Sequence, residues 1–298
     1  MGAFWGHADM GIFFMALGLW WLYNIFKDYF MSGCDTTIFR SRISYGLPCK
    51  PRIPIEIIMK LLFIGGVILF EFGTSGLHFI SADGNFRNII YLQHLTMFGL
   101  FFIHALVDLM EWVNAPIPRG SAAGTGAFAF GWTALSMYYH VEVGNRKLVD
   151  VLLHTMPNYV IYLLMGSFLY EHYHGYKGVL APIVRAYSSL FLGTWFIQEG
   201  WVLFVHDRFP GGEMNPEWDL ADERNAHFIP VAFGCHLIVD FLIAAILYVV
   251  LYFIYIPKSR LTCLRLFQKW RKPLIVNNGE IEREYLLLSN DDKEDQFV

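Results

Sequence analysis

Seven long apolar stretches, separated by short polar connections, constrain the fold of this chain more than any other feature. A helix needs about 20 mostly apolar residues to cross the hydrocarbon core of a bilayer, which is about 30 Å thick. The stretches are Ala8–Phe26, Ile55–Thr74, Ile89–Trp112, Ala122–Val141, Asp150–Tyr170, Leu180–Val205 and His227–Ile256. Because hydrocarbon leaves backbone groups no water to bond, each stretch is expected to be helical. The sequence therefore predicts an all-α, polytopic membrane bundle of seven transmembrane helices.

Charge is scarce and unevenly distributed. Charged residues make up 16% of the chain, whereas soluble domains usually carry about 25%. Charged residues are most frequent after residue 257, where a basic segment is followed by an acidic one. We therefore predict a transmembrane domain over residues 1–257 and a flexible cytosolic tail over 258–298. The bilayer is the main expected partner, a homo-oligomer is compatible with this composition, and a nucleic-acid surface is excluded by the net charge of −4.

Lysine and arginine in the short loops predict the orientation of the bundle. The side that holds the loop around Cys34 and the start of the tail carries more of them than the opposite side. Such an excess marks the cytoplasmic side. The N-terminus is therefore expected in the lumen or outside the cell, and the C-terminus in the cytosol. The start of the chain shows no basic, cleavable signal peptide, so the first apolar stretch is expected to act as the targeting signal.

Polar residues inside the spans gather toward the predicted lumenal side. Ionisable groups within a membrane are costly and usually face the interior of the bundle. Their positions along the helices predict a polar pocket or metal site formed by His94, His140, Asp150, His154, Glu199 and His236. The alternative interpretation, which the frequency of such contacts in helix bundles favours, is that these groups only hydrogen-bond one helix to another and bind nothing.

Three Asp/His pairs have the i,i+4 spacing that places both side chains on one helix face. They are His104/Asp108, Asp150/His154 and His236/Asp240. A carboxylate in such a pair can accept the histidine N–H and fix the tautomer, as the outer partners of metal ligands do. Zinc on His94, His154 and His236 is therefore a candidate cofactor, although no HExxH motif is present.

Two other charged positions have simpler predicted roles. Glu56 and Lys60 also have i,i+4 spacing and are expected to form an interfacial ion pair at the cytosolic end of the second span. Arg185 lies near the cytosolic end of the sixth span, where its long side chain is expected to extend to the interface.

The tail carries two short patterns typical of sorting signals. Glu282 followed by Leu286 and Leu287 fits the acidic dileucine pattern that clathrin adaptors bind, and Tyr285 opens a tyrosine-based pattern. Both require a flexible cytosolic segment, which is where the tail is predicted to lie. Clathrin adaptor complexes are therefore candidate partners.

Short motifs spread along the bundle resemble those of the transmembrane protein 45 family. They are Gly6-His7, Gly11-Ile-Phe-Phe14, Gly18-Leu-Trp20-Trp21, His94-Leu-Thr-Met97, Asp108, Tyr139-His140, Leu148-Val-Asp150, His154, Gly193-Thr-Trp-Phe-Ile-Gln198, Trp218-Asp-Leu220 and Cys235-His236. Two positions, His104 and Asp240, depart from the family pattern. The departures count against His104/Asp108 and His236/Asp240 as general functional pairs.

The resemblance implies a seven-span protein of Golgi, endosomal or lysosomal membranes with a role in membrane trafficking or regulation. It implies no established enzymatic reaction, and residence in the plasma membrane remains compatible. A non-enzymatic trafficking protein with a lumen-facing pocket is thus the first hypothesis. The alternatives are an intramembrane zinc-dependent lipid hydrolase and a proton-coupled carrier.

Overall fold

The computed structural model describes residues 4–75, 79–140, 146–204 and 219–270, with the side chains of Ser75 and of residues 257–270 left out. The chain divides into the units Met1–Ile256 and Pro257–Val298, and the first of these is described below. Within the described ranges the structure is helical and contains no strand, only isolated bridge pairs. The helices are α1 Phe4–Met31, α2 Ile55–Ser75, α3 Ile89–Trp112, α4 Ser121–His140, α5 Leu148–Thr155, α6 Pro157–Tyr173, α7 Leu180–Phe204 and α8 Glu223–Trp270.

Over the residues that the structure describes, each predicted apolar stretch is occupied by helix. The fifth is interrupted, because α5 ends at Thr155 and α6 begins at Pro157. Proline has no N–H to donate to the preceding turn, which explains the break. The first and last helices also extend beyond the predicted stretches, since α1 begins at Phe4 and α8 continues to Trp270.

Five helical segments are long and apolar enough to cross a membrane. They are Phe4–Met31, Ile89–Trp112, Leu148–Tyr173, Leu180–Phe204 and Glu223–Ile256. The chain is thus a helical protein suited to a bilayer. The two remaining predicted spans, α2 and α4, are helices of 21 and 20 residues, and they are not among the segments that combine sufficient length with sufficient apolar character and little charge.

Helices α1 and α7 pack with their backbones unusually close together. A Cβ at Gly11 would lie 2.6 Å from the Ile197 side chain and 2.7 Å from the Gly193 carbonyl oxygen. Gly18 is equally close to the backbone of Leu190. Small residues permit such approach in membrane bundles, where packing rather than water expulsion holds helices together. This contact aligns the start of α1 with the end of α7.

At the predicted cytosolic end, Arg185 of α7 is fully buried rather than extended to an interface. Its Nε donates to Glu171 Oε1 at 2.6 Å, and its Nη2 donates to the Arg42 carbonyl at 2.7 Å. The guanidinium lies 4.3 Å from the centre of the Trp21 ring. The expectation that Arg185 reaches the interface was wrong, because the segment after α1 folds back over it.

The pair Glu56/Lys60 also forms, with 2.6 Å between Lys60 Nζ and Glu56 Oε1, but it is buried rather than interfacial. Glu56 accepts hydrogen bonds from both Trp20 and Trp21. Ser44 Oγ lies within hydrogen-bond distance of Asp108 and of Glu56 and donates its one proton to either carboxylate, while Lys60 donates to Ser44. The loop between α1 and α2 is thus anchored inside the bundle by charged groups.

Candidate functional site

A cavity of about 180 Å³ lies at the other end of the bundle, where α1 and α5 begin and α4 and α7 end. Four of the predicted pocket residues line it: His94, His140, His154 and Glu199. Its remaining wall is largely aromatic and aliphatic, and includes Phe14, Met97, Phe98, Phe101, Phe130, Met137, Ile161, Leu192 and Phe196. The cavity therefore combines one polar zone with a large apolar zone.

The histidines of the polar zone form a continuous row. The ring centres of His94 and His140 lie 5.4 Å apart, and those of His140 and His154 also lie 5.4 Å apart. His7 extends the row, with its ring centre 5.9 Å from that of His154. Helices α1, α3, α4 and α5 each contribute one of these rings, which explains why no local motif revealed the row.

His140 has both ring nitrogens occupied. Arg146 Nη2 lies 3.1 Å from Nε2, and because a guanidinium can only donate, Nε2 is the acceptor. Nδ1 then carries the proton and donates to Gln93 Oε1 at 3.0 Å. His140 is accordingly a neutral, fully bonded side chain that has no nitrogen left for a metal.

Asp150, His154 and Glu199 form a connected triad. His154 Nδ1 lies 2.9 Å from both the side-chain Oδ1 and the backbone oxygen of Asp150. Its other nitrogen, Nε2, lies 2.9 Å from Glu199 Oε1. Asp150 also accepts from Arg146 at 2.8 Å. The i,i+4 spacing of Asp150 and His154 therefore produces the direct contact that the sequence predicted.

Three further residues belong to this zone although the predicted pocket omitted them. His7 Nε2 lies 3.6 Å from Glu199 Oε1, and Glu71 Oε1 lies 3.2 Å from His94 Nδ1. Arg146 bonds to both His140 and Asp150. A signal for His7 existed in the Gly6-His7 motif, and Glu71 lies at the end of its predicted span that is expected to face the lumen. Arg146, a loop residue, gave none.

His236 is not among the residues that line the cavity. Its Nδ1 lies 3.1 Å from Thr194 Oγ1, and the same hydroxyl donates to Asp240 Oδ2 at 2.8 Å. His236 and Asp240 are therefore linked through Thr194 rather than directly. His104 and Asp108 do not pair either, since His104 Nδ1 contacts Thr125 Oγ1 at 3.3 Å.

The sorting patterns at Glu282, Tyr285, Leu286 and Leu287 lie outside the described residues. They stay a prediction from the sequence.

A family model described as a family of unknown function (DUF716) matches residues 119–249. The matched region runs from the residues just before α4 into α8, and includes His140, Asp150, His154, Glu199 and His236. This family includes transmembrane protein 45 members, which agrees with the resemblance seen in the motifs. The match covers less than half of the chain and assigns it no activity.

Proposed function

We propose that this chain is a seven-span membrane protein whose cavity binds a small amphipathic molecule bearing a hydroxyl group. The observation that carries the proposal is the two-zone cavity, in which an apolar wall adjoins buried polar atoms that lack partners. Glu71 Oε2 and Arg146 Nε are both buried, and neither has a hydrogen-bond partner among the described residues.

The apolar zone sets the size of the ligand's apolar part. A cavity of about 150 Å³ lined by apolar side chains stays dry and takes up benzene. The present cavity, at about 180 Å³, is of the same order. A ring or a short run of methylene groups fits it, and burial of apolar surface supplies about 25 cal/mol per Å².

The unpartnered atoms set the chemistry of the polar part. Glu71 Oε2 is an acceptor and Arg146 Nε is a donor, and both residues line the cavity, so a group that both donates and accepts can pair with either atom. A hydroxyl does this, whereas an amine in its charged form only donates and a carboxylate only accepts. Leaving either atom unsatisfied costs about 1–3 kcal/mol, more for a charged group.

Photo-crosslinking with the full chain in nanodiscs tests this proposal. The probe is a short-chain aliphatic alcohol that carries a diazirine and an alkyne. We expect crosslinked peptides from α1, α3 and α4 at Phe14, Phe101 and Phe130, and weaker capture of the matching alkane, which lacks the hydroxyl. Phe130→Trp should fill part of the cavity and reduce capture several-fold.

Phe128 offers a matched control for that substitution. It lies on the same helix but is exposed, so Phe128→Trp should leave capture unchanged. Equal capture by the wild type and Phe130→Trp, or equal capture of the alcohol and the alkane, would refute the proposed ligand class.

The seven-span topology is part of the same proposal. It is supported by helices at all seven predicted stretches and by the outward-facing apolar side chains of α2, such as Leu62 and Leu69, which suit lipid contact. With the N-terminus lumenal, the loop that holds Cys49 is cytosolic. Cys49 is exposed, so a membrane-impermeant maleimide should label it in intact cells only after the plasma membrane is permeabilised, and in sealed Golgi or endosomal vesicles, whose cytosolic face is outward, without permeabilisation. Labelling in intact cells, or protection of Cys49 in such sealed vesicles, would contradict the orientation.

We further propose that the protein belongs to the transmembrane protein 45 type and acts in Golgi or endolysosomal trafficking. The motif resemblance and the tail patterns support this role. Leu286→Ala together with Leu287→Ala should move the protein toward the plasma membrane in imaging. Leu274→Ala changes a tail leucine outside both patterns and serves as the control. An unchanged location of the double variant would remove the sorting role.

A further inference from the structure

Three metal-ligating groups come together beside the cavity. One ligand atom each from His7, His154 and Glu199 lies within 4.8 Å of the others. Glu199 and His154 are buried, and His7 is partly buried. The three residues come from α1, α5 and α7, so the group exists only when the helix bundle is assembled.

The two ring nitrogens of His154 each face a carboxylate. Both oxygens near His154 Nδ1 belong to Asp150 and are acceptors, so Nδ1 carries a proton. On the other side, Nε2 lies 2.9 Å from Glu199 Oε1, and the positive charge that this buried carboxylate needs is supplied either by a second proton on the ring or by a metal ion bound to Nε2. This contact meets the distance of an ion pair but not the geometry of a hydrogen bond, since both Glu199 oxygens are buried without a hydrogen-bond partner in the described ranges.

The distances between the candidate ligand atoms lie on either side of the spacing expected in a tetrahedral metal site. Zn–N and Zn–O bonds of about 2.0–2.2 Å place neighbouring ligand atoms about 3.4 Å apart. The contacts of Glu199 Oε1 with His154 Nε2 and His7 Nε2 are 2.9 and 3.6 Å. Asp150 adds the carboxylate behind a ligating histidine that fixes ring orientation in zinc sites.

The geometry points to a zinc-binding site formed by His7 Nε2, His154 Nε2 and a Glu199 carboxylate oxygen. Two imidazoles and one carboxylate suit zinc better than magnesium or calcium, which prefer all-oxygen ligand sets. All three residues line the cavity, so a fourth coordination position would face it. The site goes beyond the proposed ligand, because it stands on these three side chains whether or not an alcohol binds.

His94, His140 and His236, which the sequence also offered, are not part of this set. His140 has no free nitrogen, and His236 does not line the cavity. His94 lines the cavity but contacts Glu71 instead.

Elemental analysis of the purified full chain tests the site. The protein, carrying a tag without histidines, is incubated with Zn²⁺ in detergent, desalted and measured by mass spectrometry of its metal content. We expect about one zinc per chain in the wild type and a small fraction of that in His154→Ala and Glu199→Gln. Asp150→Asn should weaken zinc affinity about 10–100-fold, as changes behind a ligating histidine do.

Two variants keep the test decisive. His7→Ala removes the partly exposed ligand and should lower zinc content even if the buried variants fail to fold. His94→Ala removes an imidazole from the same cavity and should retain the wild-type content. Zinc below about a tenth of an equivalent in the wild type, or wild-type content in His7→Ala and Glu199→Gln, would overturn the site. Loss of alcohol capture with zinc retained would count against the proposed ligand alone.

Discussion

Replacing Arg185 by methionine should be among the most destabilising single substitutions in the bundle. The change keeps the length and apolar stem of the side chain but removes its charge. It leaves Glu171, which is 1% exposed, with Ser41 Oγ at 2.7 Å as its remaining hydrogen-bond donor. It also removes the donors to the carbonyls of Arg42 and Ile43 and the contact with the Trp21 ring.

The magnitude follows from these contacts. Breaking a buried ion pair by removing one partner costs about 3–5 kcal/mol, because the other charge stays buried. The lost cation–π contact is worth up to about 2 kcal/mol. The two terms overlap, so we expect a total loss of about 4 kcal/mol in the free energy of unfolding. The double variant Arg185→Met/Glu171→Met should recover about half of it, because no unpaired charge then remains.

Unfolding in mixed micelles of a mild detergent and sodium dodecyl sulfate measures these differences. Arg52→Met is the matched control, because Arg52 is exposed, and its effect should stay within about 0.5 kcal/mol. A loss below about 1 kcal/mol in Arg185→Met, or no recovery in the double variant, would refute the reasoning that burial makes this pair interdependent.

Three further predictions concern packing, the polar link and transport. Gly193→Ala should destabilise the bundle by about 1–3 kcal/mol, because its Cβ would lie 2.6 Å from the Gly11 carbonyl oxygen, whereas Gly166→Ala meets open space and should be neutral in the same unfolding assay. Thr194→Val should cost about 1–3 kcal/mol, because it removes the donor to buried Asp240; stability equal to the wild type would contradict that role. Proteoliposomes containing the wild type should dissipate a pH gradient no faster than empty ones, and faster dissipation would support the carrier alternative.

Hydropathy predicted where the helices lie but not how each is rotated about its axis. His94, His140, His154 and Glu199 all lie toward one end of their helices and meet in the cavity. His236 is predicted in the same half of the bundle, though nearer its middle, yet its ring lies beside Trp195 and Thr194. The depth of a residue in the bundle follows from counting residues along its helix. The direction in which its side chain points depends on how the helices pack against one another, and no single stretch of sequence shows this.

The error at Arg185 has a related cause. A long basic side chain near a helix end normally reaches the interface. Here its partners are Glu171 and the carbonyls of residues more than a hundred positions earlier in the chain. The loop after α1 mixes polar residues with Phe39, Ile43 and Tyr45, which are buried, but its sequence does not indicate that its carbonyls face Arg185. Sequence reasoning therefore succeeds for the apolar helices, which hydropathy identifies. It fails for polar side chains such as Arg185, which are buried by segments distant in the sequence.

A layer of aromatic rings separates the two polar ends of the bundle, and this bears on the choice between a binding pocket and a pathway. Phe14, Phe101 and Phe130 line both the histidine cavity and a smaller cavity next to it that Lys60 and His104 also line. Phe101 and Phe130 pack edge to face, with ring centres 4.8 Å apart. A proton relay needs hydrogen-bonding groups in sequence, and these rings offer none. These rings thus separate the histidine cluster from the polar group around Lys60 and His104, which favours a site that retains a ligand over a route that passes one through.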